Sequence, residues 1–248
     1  MGIKLKVRGG GYMNLMPVTM GLKEELSDQL DIKSVFTIPH TNISIDETTV
    51  VSWIIIAVLT VLAIILTRNL KVSGELSKRQ QILEVCMDKL YSFFGDILGE
   101  KGERYIPWLS CVAIYIGAAN MIGLFGFKPP TKSLQVTAAL ALTSIVLVEF
   151  AGIRAKGIKG HLKSFAQPVA VVLPINLLEI IIKPLSLCMR LFGNVLGAFI
   201  IMELLKSIVF FKVGVSLAFS FYFDLFDGFL QAYIFVFLTA MYIQEAIE

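Results

Sequence analysis

The sequence predicts an all-α, polytopic membrane protein with about five membrane-embedded helices, an interfacial amphipathic helix and a long, tilted C-terminal helical hairpin. Three observations carry this reading. The 248 residues are 56% hydrophobic and only 17% charged, against about 25% charged in a soluble domain, and mean hydropathy is +0.77. Several uncharged windows approach or exceed the roughly 18 residues that mark a membrane helix. The basic residues gather in loops beside apolar segments, the distribution that orients a membrane protein. A net charge of +3 spread in this way speaks to topology and not to nucleic acid. Cys86, Cys111 and Cys188 lack the spacing of a disulfide framework or a zinc site.

Residues 1–48 form an N-terminal outer-side segment of mixed polarity, with a glycine run at Gly9, Gly10 and Gly11 and a short helix expected around 22–30. Nothing in it has the small-residue cleavage site of a signal peptide. The membrane domain is expected to fill 49–248. Its first span, 50–67, is uncharged and is followed by Arg68, Lys71, Lys78 and Arg79, so this loop is cytoplasmic and the N-terminus lies outside. In 81–98, Gln81, Glu84, Asp88, Ser92 and Asp96 recur near helical spacing among Ile82, Leu83, Met87, Leu90, Phe93, Phe94 and Ile97. Such a segment suits the membrane interface, or a helix packed on the membrane helices.

The second span, 106–127, runs outward to the turn GFKPPT at 126–131, and 134–153 returns with a single charge, Glu149, read as functional or paired within the bundle. Arg154, Lys156, Lys159, His161 and Lys163 follow, again marking the cytoplasmic side; His161 among them reads as solvated. Apolar helical segments then cover 168–205 and 215–247. At 1.5 Å per residue they measure about 57 and 50 Å against a hydrocarbon core of roughly 30 Å. With the turn between them at 206–214, they read as a steeply tilted hairpin, in contact along its length, that ends in the cytoplasm.

The hairpin carries the polar residues. At about 100° per residue, Glu179, Lys183, Ser186 and Asn194 fall within about 40° of Arg190, forming one polar stripe on an apolar helix. Glu179 and Lys183 are spaced to pair, whereas Arg190 has only Asn194 as a local neighbour. An arginine near the bilayer centre costs about 2.5–3.5 kcal/mol on insertion scales and needs a carboxylate from elsewhere or a water-filled cavity. Gly193 and Gly197 make a small-xxx-small pair that lets another helix approach. On the second arm Asp224, Asp227 and Gln231 share a face within about 60°. Two carboxylates so close in low dielectric make at least one a proton carrier, or one of them caps or pairs within the hairpin.

KPLSLCMRLFGN at 183–194, followed by LQAYIF at 230–235, resembles subunit a of the F-type ATP synthases. FKPPTKSLQVTAALAL at 127–142, AKGIKGH at 155–161 and VVLPINLLE at 171–179 resemble that family in the same order. The resemblance implies the ion-translocating stator subunit of the complex, not catalytic by itself, with two half-channels for H⁺ or Na⁺. Its partners would be the c-subunit ring, the peripheral stalk b subunits, the F1 head through the stalks, and membrane lipid of a bacterial plasma membrane. No metal or cofactor is implied.

By the same resemblance Arg190 is the arginine that faces the ion-binding carboxylates of the ring, Asn194 lies one turn on, and Gln231 is the glutamine opposite. Asp224 falls where the family has a histidine or an acid lining the outer half-channel, and Asn120 matches an asparagine of that route. Two departures stand out. Phe199 occupies the position of a relay acid or histidine, and Ser133 and Gln135 stand where many members have Asp and Asn. Asp224, Asp227 or Glu203 would then replace the relay acid, although Glu203 lies about 220° from Arg190 around an ideal helix. Glu179, Lys183 and Ser186 line the cytoplasmic half-channel or hold the kink at Pro184. The rival class is a secondary transporter or channel whose Arg190 binds an anion. Such folds are often built from inverted repeats, and no internal repeat is evident. A membrane hydrolase is disfavoured by the lack of HExxH and GxSxG motifs.

Overall fold

The structure, a computed structural model, describes residues 4–6, 12–14, 34–37, 44–68, 70, 77–125, 127, 129–164, 173–207 and 222–248. Two short antiparallel pairs precede the membrane helices: β1 (Lys4–Lys6) with β2 (Tyr12–Asn14), and β3 (Ser34–Thr37) with β4 (Ser44–Asp46). The expected helix at 22–30 lies outside the described residues. From Glu47 onward the described chain is helical, an all-α, multi-pass architecture. Four helical stretches are long and apolar enough to cross a membrane: Glu47–Thr67, Leu134–His161, Leu173–Met202 and Leu225–Ile247.

Helix α1 (Glu47–Thr67) turns Thr48, Ser52 and Ile55 to the bundle and exposes Trp53, Ile54, Val58, Val61, Ile64 and Ile65, as a lipid-facing helix does. Ser52 Oγ and Tyr115 OH, 2.6 Å apart, tie it to the bundle. Its last turn has no basic residue of its own. Arg79 supplies one, donating to the carbonyl oxygens of Arg68 at 2.8 Å and Ile65 at 3.3 Å, acceptors that a helix end leaves orphaned.

Helix α2 (Lys78–Gly102) is longer than the expected 81–98 and changes direction at Gly99, whose φ of 62° is a conformation that glycine adopts without a Cβ penalty. Phe94 and Leu98 are buried, with Leu90, Phe93 and Ile97 packed beside them, whereas Ile82 and Val85 stay exposed. Its C-terminal half thus packs on the bundle, with Phe93 against Tyr233 at 5.3 Å between ring centroids.

A 3₁₀ turn leads into α3 (Ile106–Met121), which passes into a second 3₁₀ turn, Ile122–Phe125. The expected 106–127 helix therefore keeps α geometry only to Met121, ahead of Gly123, a weak helix former. Helix and turn together still span about 32 Å at their characteristic rises. The 3₁₀ turn Pro130–Lys132 is buried and touches α1, α3 and the two helices that follow.

Helix α4 (Leu134–Ser164) outruns the expected end at 153 and is kinked at Gly157, φ 74°. Beyond the kink His161 is buried, not solvated as the sequence suggested, and its Nε2 lies 2.8 Å from Glu149 Oε2. The positive-φ glycine folds the basic end back on the helix, and Gly152 leaves room for the ring: a Cβ there would lie 2.6 Å from His161 Cε1 and 3.3 Å from the Ala246 carbonyl oxygen. Gly152→Val is expected to dislodge His161 and cost about 1–3 kcal/mol, as overpacking does. Thermal unfolding of the detergent-solubilised protein measures it.

Helix α5 (Leu173–Ser207) runs 35 residues through an internal Pro184. A π-helical turn, Tyr222–Asp227, opens α6 (Gly228–Ile247); the chain between them, with most of the expected 206–214 turn, lies outside the described residues. Gln231, Ala232, Phe235, Val236, Thr239, Ala240 and Ile243 make one buried face of α6. Lipid offers no hydrophobic drive for helix association, so small residues and close packing take that role. This face packs on α2, α3 and α4. The expectation that the hairpin arms touch along their length is corrected for the described residues: α5 packs chiefly on α4 and approaches α6 much less, with two side-chain bridges between the arms. The small residues of α6 are already occupied by α3 and α4, which leaves long polar side chains to bridge to α5.

Candidate functional site

Arg190 stands exposed on α5, as do Leu185 and Met189, while Leu187, about 60° from it on the helical wheel, and Leu191 and Cys188 further round are buried. Among the described residues it makes no ion pair. One turn on, Asn194 Nδ2 donates to Gln231 Oε1 of α6. Gln231 is 1% exposed, and its Nε2 has no hydrogen-bond acceptor among the described residues. The fold thus brings Asn194 and Gln231 together and leaves Arg190 exposed one turn away.

Asn120 sits at the foot of α6. Its Nδ2 donates to the Gly228 carbonyl at 3.1 Å, and its Oδ1 accepts from Thr131 Oγ1 at 2.8 Å. Gly228 permits the approach, since a Cβ there would lie 3.0 Å from Asn120 Cβ. Asp227, next in the chain, is half-buried with no partner among the described residues. The structure therefore joins Asn120 to the Asp227 end of α6 but not to Arg190. Thr131 and Gly228 were not singled out in the sequence; the PPT turn marked the region without naming the hydroxyl that bonds. The side chains of Asp224, Phe199 and Glu203 lie outside the described residues.

Towards the C-terminal end of α6, Lys183 Nζ lies 3.3 Å from Glu179 Oε2, the pair their spacing predicted. It also donates to Glu245 Oε2 at 2.9 Å and stands 5.1 Å from the centroid of the Tyr242 ring. Glu245 was missed, yet it lies within about 40° of Gln231 on the α6 wheel, so extending that wheel by four turns would have found it. Ser186 is half-buried on the Arg190 face. No group of three His, Cys, Asp or Glu among the described residues is placed to hold a metal ion.

The motif that carries Arg190, Asn194 and Gln231 can be compared with known proteins. The profile of the ATP synthase A chain family matches residues 49–244. The chain belongs to the ATP synthase A chain family. Among its relatives in that family, ATP synthase subunit a of Moorella thermoacetica is 35% identical over 207 residues, covering 83% of this chain and 93% of that protein. ATP synthase subunit a 1 of Crocosphaera subtropica is 34% identical over 209 residues, 83% of this chain and 89% of that one. ATP synthase subunit a of Albidiferax ferrireducens is 32% identical over 208 residues, 84% and 89% of the two chains. For a member of the ATP synthase A chain family, the Arg190 face, the Asn120 network and the Lys183 cluster are polar sites, among the described residues, that a function has to explain.

Proposed function

We propose that this chain is the ion-translocating stator subunit in the membrane sector of an F-type ATP synthase, where Arg190 works against the ion-binding carboxylates of a ring of c subunits. The observation that carries the reading is Arg190 itself, exposed and without an ion pair among the described residues, one turn from the Asn194–Gln231 bond. A charge on an apolar membrane helix calls for a counter-charge or water. A carboxylate brought past by a partner helix meets that demand.

The mechanism follows from charge cost. A ring carboxylate crosses lipid only when neutralised by H⁺ or Na⁺. Near Arg190 the opposite charge favours the ionised form and releases the ion. Arginine suits this task because it stays protonated when desolvated. The ion leaves by a cytoplasmic half-channel lined by Glu179, Lys183 and Ser186, and the next site loads through an outer one lined by Asn120, Asp224 and Asp227, with Glu203 as a further acid. Arg190 between the two blocks a direct leak and obliges ions to take the rotor. Peripheral stalk b subunits hold the chain against the catalytic head. The basic loops orient it with its N-terminus outside and C-terminus in the cytoplasm of a bacterial cell.

Co-purification with a c ring and an ATP-hydrolysing head, followed by ATP-driven ion uptake in liposomes, tests the reading. ATP-independent anion flux by the isolated chain would instead favour the transporter. Within the complex, Gln231→Leu removes the acceptor that exposed Asn194 uses and with it the bond between the two arms, a loss of about 0.5–1.5 kcal/mol. ATP-driven uptake is expected to fall by up to roughly ten-fold.

A further inference from the structure

Two polar rungs join α5 to α6, Asn194–Gln231 and Lys183–Glu245, and Arg190 lies between them in the chain. On the α5 wheel Lys183, Arg190 and Asn194 share one side within about 60°, and Gln231 and Glu245 share one side of α6. Over the described residues α5 approaches α6 far less than it approaches α4, so the reach of these side chains helps to set the separation of the arms. At the lower rung the reach is held from several sides. Glu179 restrains Lys183 from within its own helix, Glu245 draws it across, and the Tyr242 ring lies beside the ammonium.

We propose that the Lys183–Glu245 bridge is a spacer between α5 and α6, which makes both of them positioning residues that hold Arg190 out of the bundle and free to meet a passing carboxylate. This rests on the reading of Arg190 given above. An exposed ion pair in water contributes little to stability. This one lies on a long apolar helix, with the Lys183 side chain 21% exposed, where geometry gains weight over net energy. Two carboxylates sharing one ammonium also leave a carboxylate in surplus, so losing the cross-bridge need not unfold the cluster. Without it the arms are free to reset, and Arg190 meets the ring out of register.

The complete complex in liposomes tests this through the number of ions taken up per ATP hydrolysed, with c-ring co-purification as the assembly control. Glu245→Gln and Lys183→Gln are each expected to lower that ratio about five-fold, less than the roughly 100-fold that a 1 Å misplacement can cost. Lys183→Arg, which keeps the charge, and the charge-swapped pair Lys183→Glu with Glu245→Lys are expected to recover most of it. Should Lys183→Gln fail to assemble, Glu245→Gln carries the test, since the Glu245 side chain is 59% exposed. An unchanged ratio in Glu245→Gln overturns the spacer, as does a swapped pair no better than the single variants. Arg190→Ala in the same series separates the two ideas: normal coupling there overturns the parent reading, and lost coupling there beside an intact Glu245→Gln overturns the spacer alone.

Discussion

Arg190→Ala is expected to abolish both ion-driven ATP synthesis and ATP-driven pumping while leaving the subunit assembled. Without the guanidinium, a ring carboxylate facing α5 has no counter-charge, and ionising it in the membrane costs of order 2.5–3.5 kcal/mol or more. That slows ion release roughly 100-fold or more. Assembly is spared because Arg190 is exposed and has no ion pair among the described residues, so its loss breaks no inter-helix bond. Arg190→Lys should fail nearly as badly, since a desolvated lysine can shed its proton and cannot present a planar fork to a carboxylate. Initial rates of ATP synthesis under an imposed ion gradient, with ring content measured in parallel, check both.

The second large effect is expected at the outer half-channel. Phe199 removes a titratable group from the first arm, and Asp224 and Asp227 bring two acids to the start of the second. Asn120 bonds the Gly228 carbonyl, which anchors the Asp227 end of α6 to α3. If the ion is H⁺, Asp224→Asn should slow transport and alter its pH profile, Asp227→Asn should be milder and the double change worst, because coupled acids partly replace each other. If it is Na⁺, the same changes should weaken apparent Na⁺ affinity from the outside, since hard cations prefer carboxylate oxygens. A double Asn variant with unchanged transport in both titrations would remove the pair from the route.

Much of this was legible because lipid imposes a simple rule. Apolar runs long enough to span must be helices, which gave α1 and α4 their starts within a few residues and set the polar stripe of α5. The Glu179–Lys183 pair followed from spacing, whereas the resemblance set Gln231 opposite Arg190 and did not give its bond to Asn194. What escaped depends on tertiary detail. His161 reads as solvated among five basic loop residues, and only the Gly157 kink and the space over Gly152 bring it to Glu149. Glu245 falls beside Gln231 on the α6 wheel, but its partner lies on another helix, 62 positions away. That α5 packs more on α4 than on α6 among the described residues depends on how α3 and α4 fill the small-residue face of α6, which no periodicity within the arms encodes.

The central claim is that Arg190 separates two half-channels and forces ions onto the rotor. Passive ion flux through the membrane sector tests it most directly, in vesicles stripped of the catalytic head and with the ring locked to the stator by an engineered cross-link. With Arg190 present, the locked sector is expected to be tight. Arg190→Ala is expected to conduct with the ring still locked, because ions can then pass from one half-channel to the other. A locked Arg190→Ala sector as tight as the native one would contradict the account.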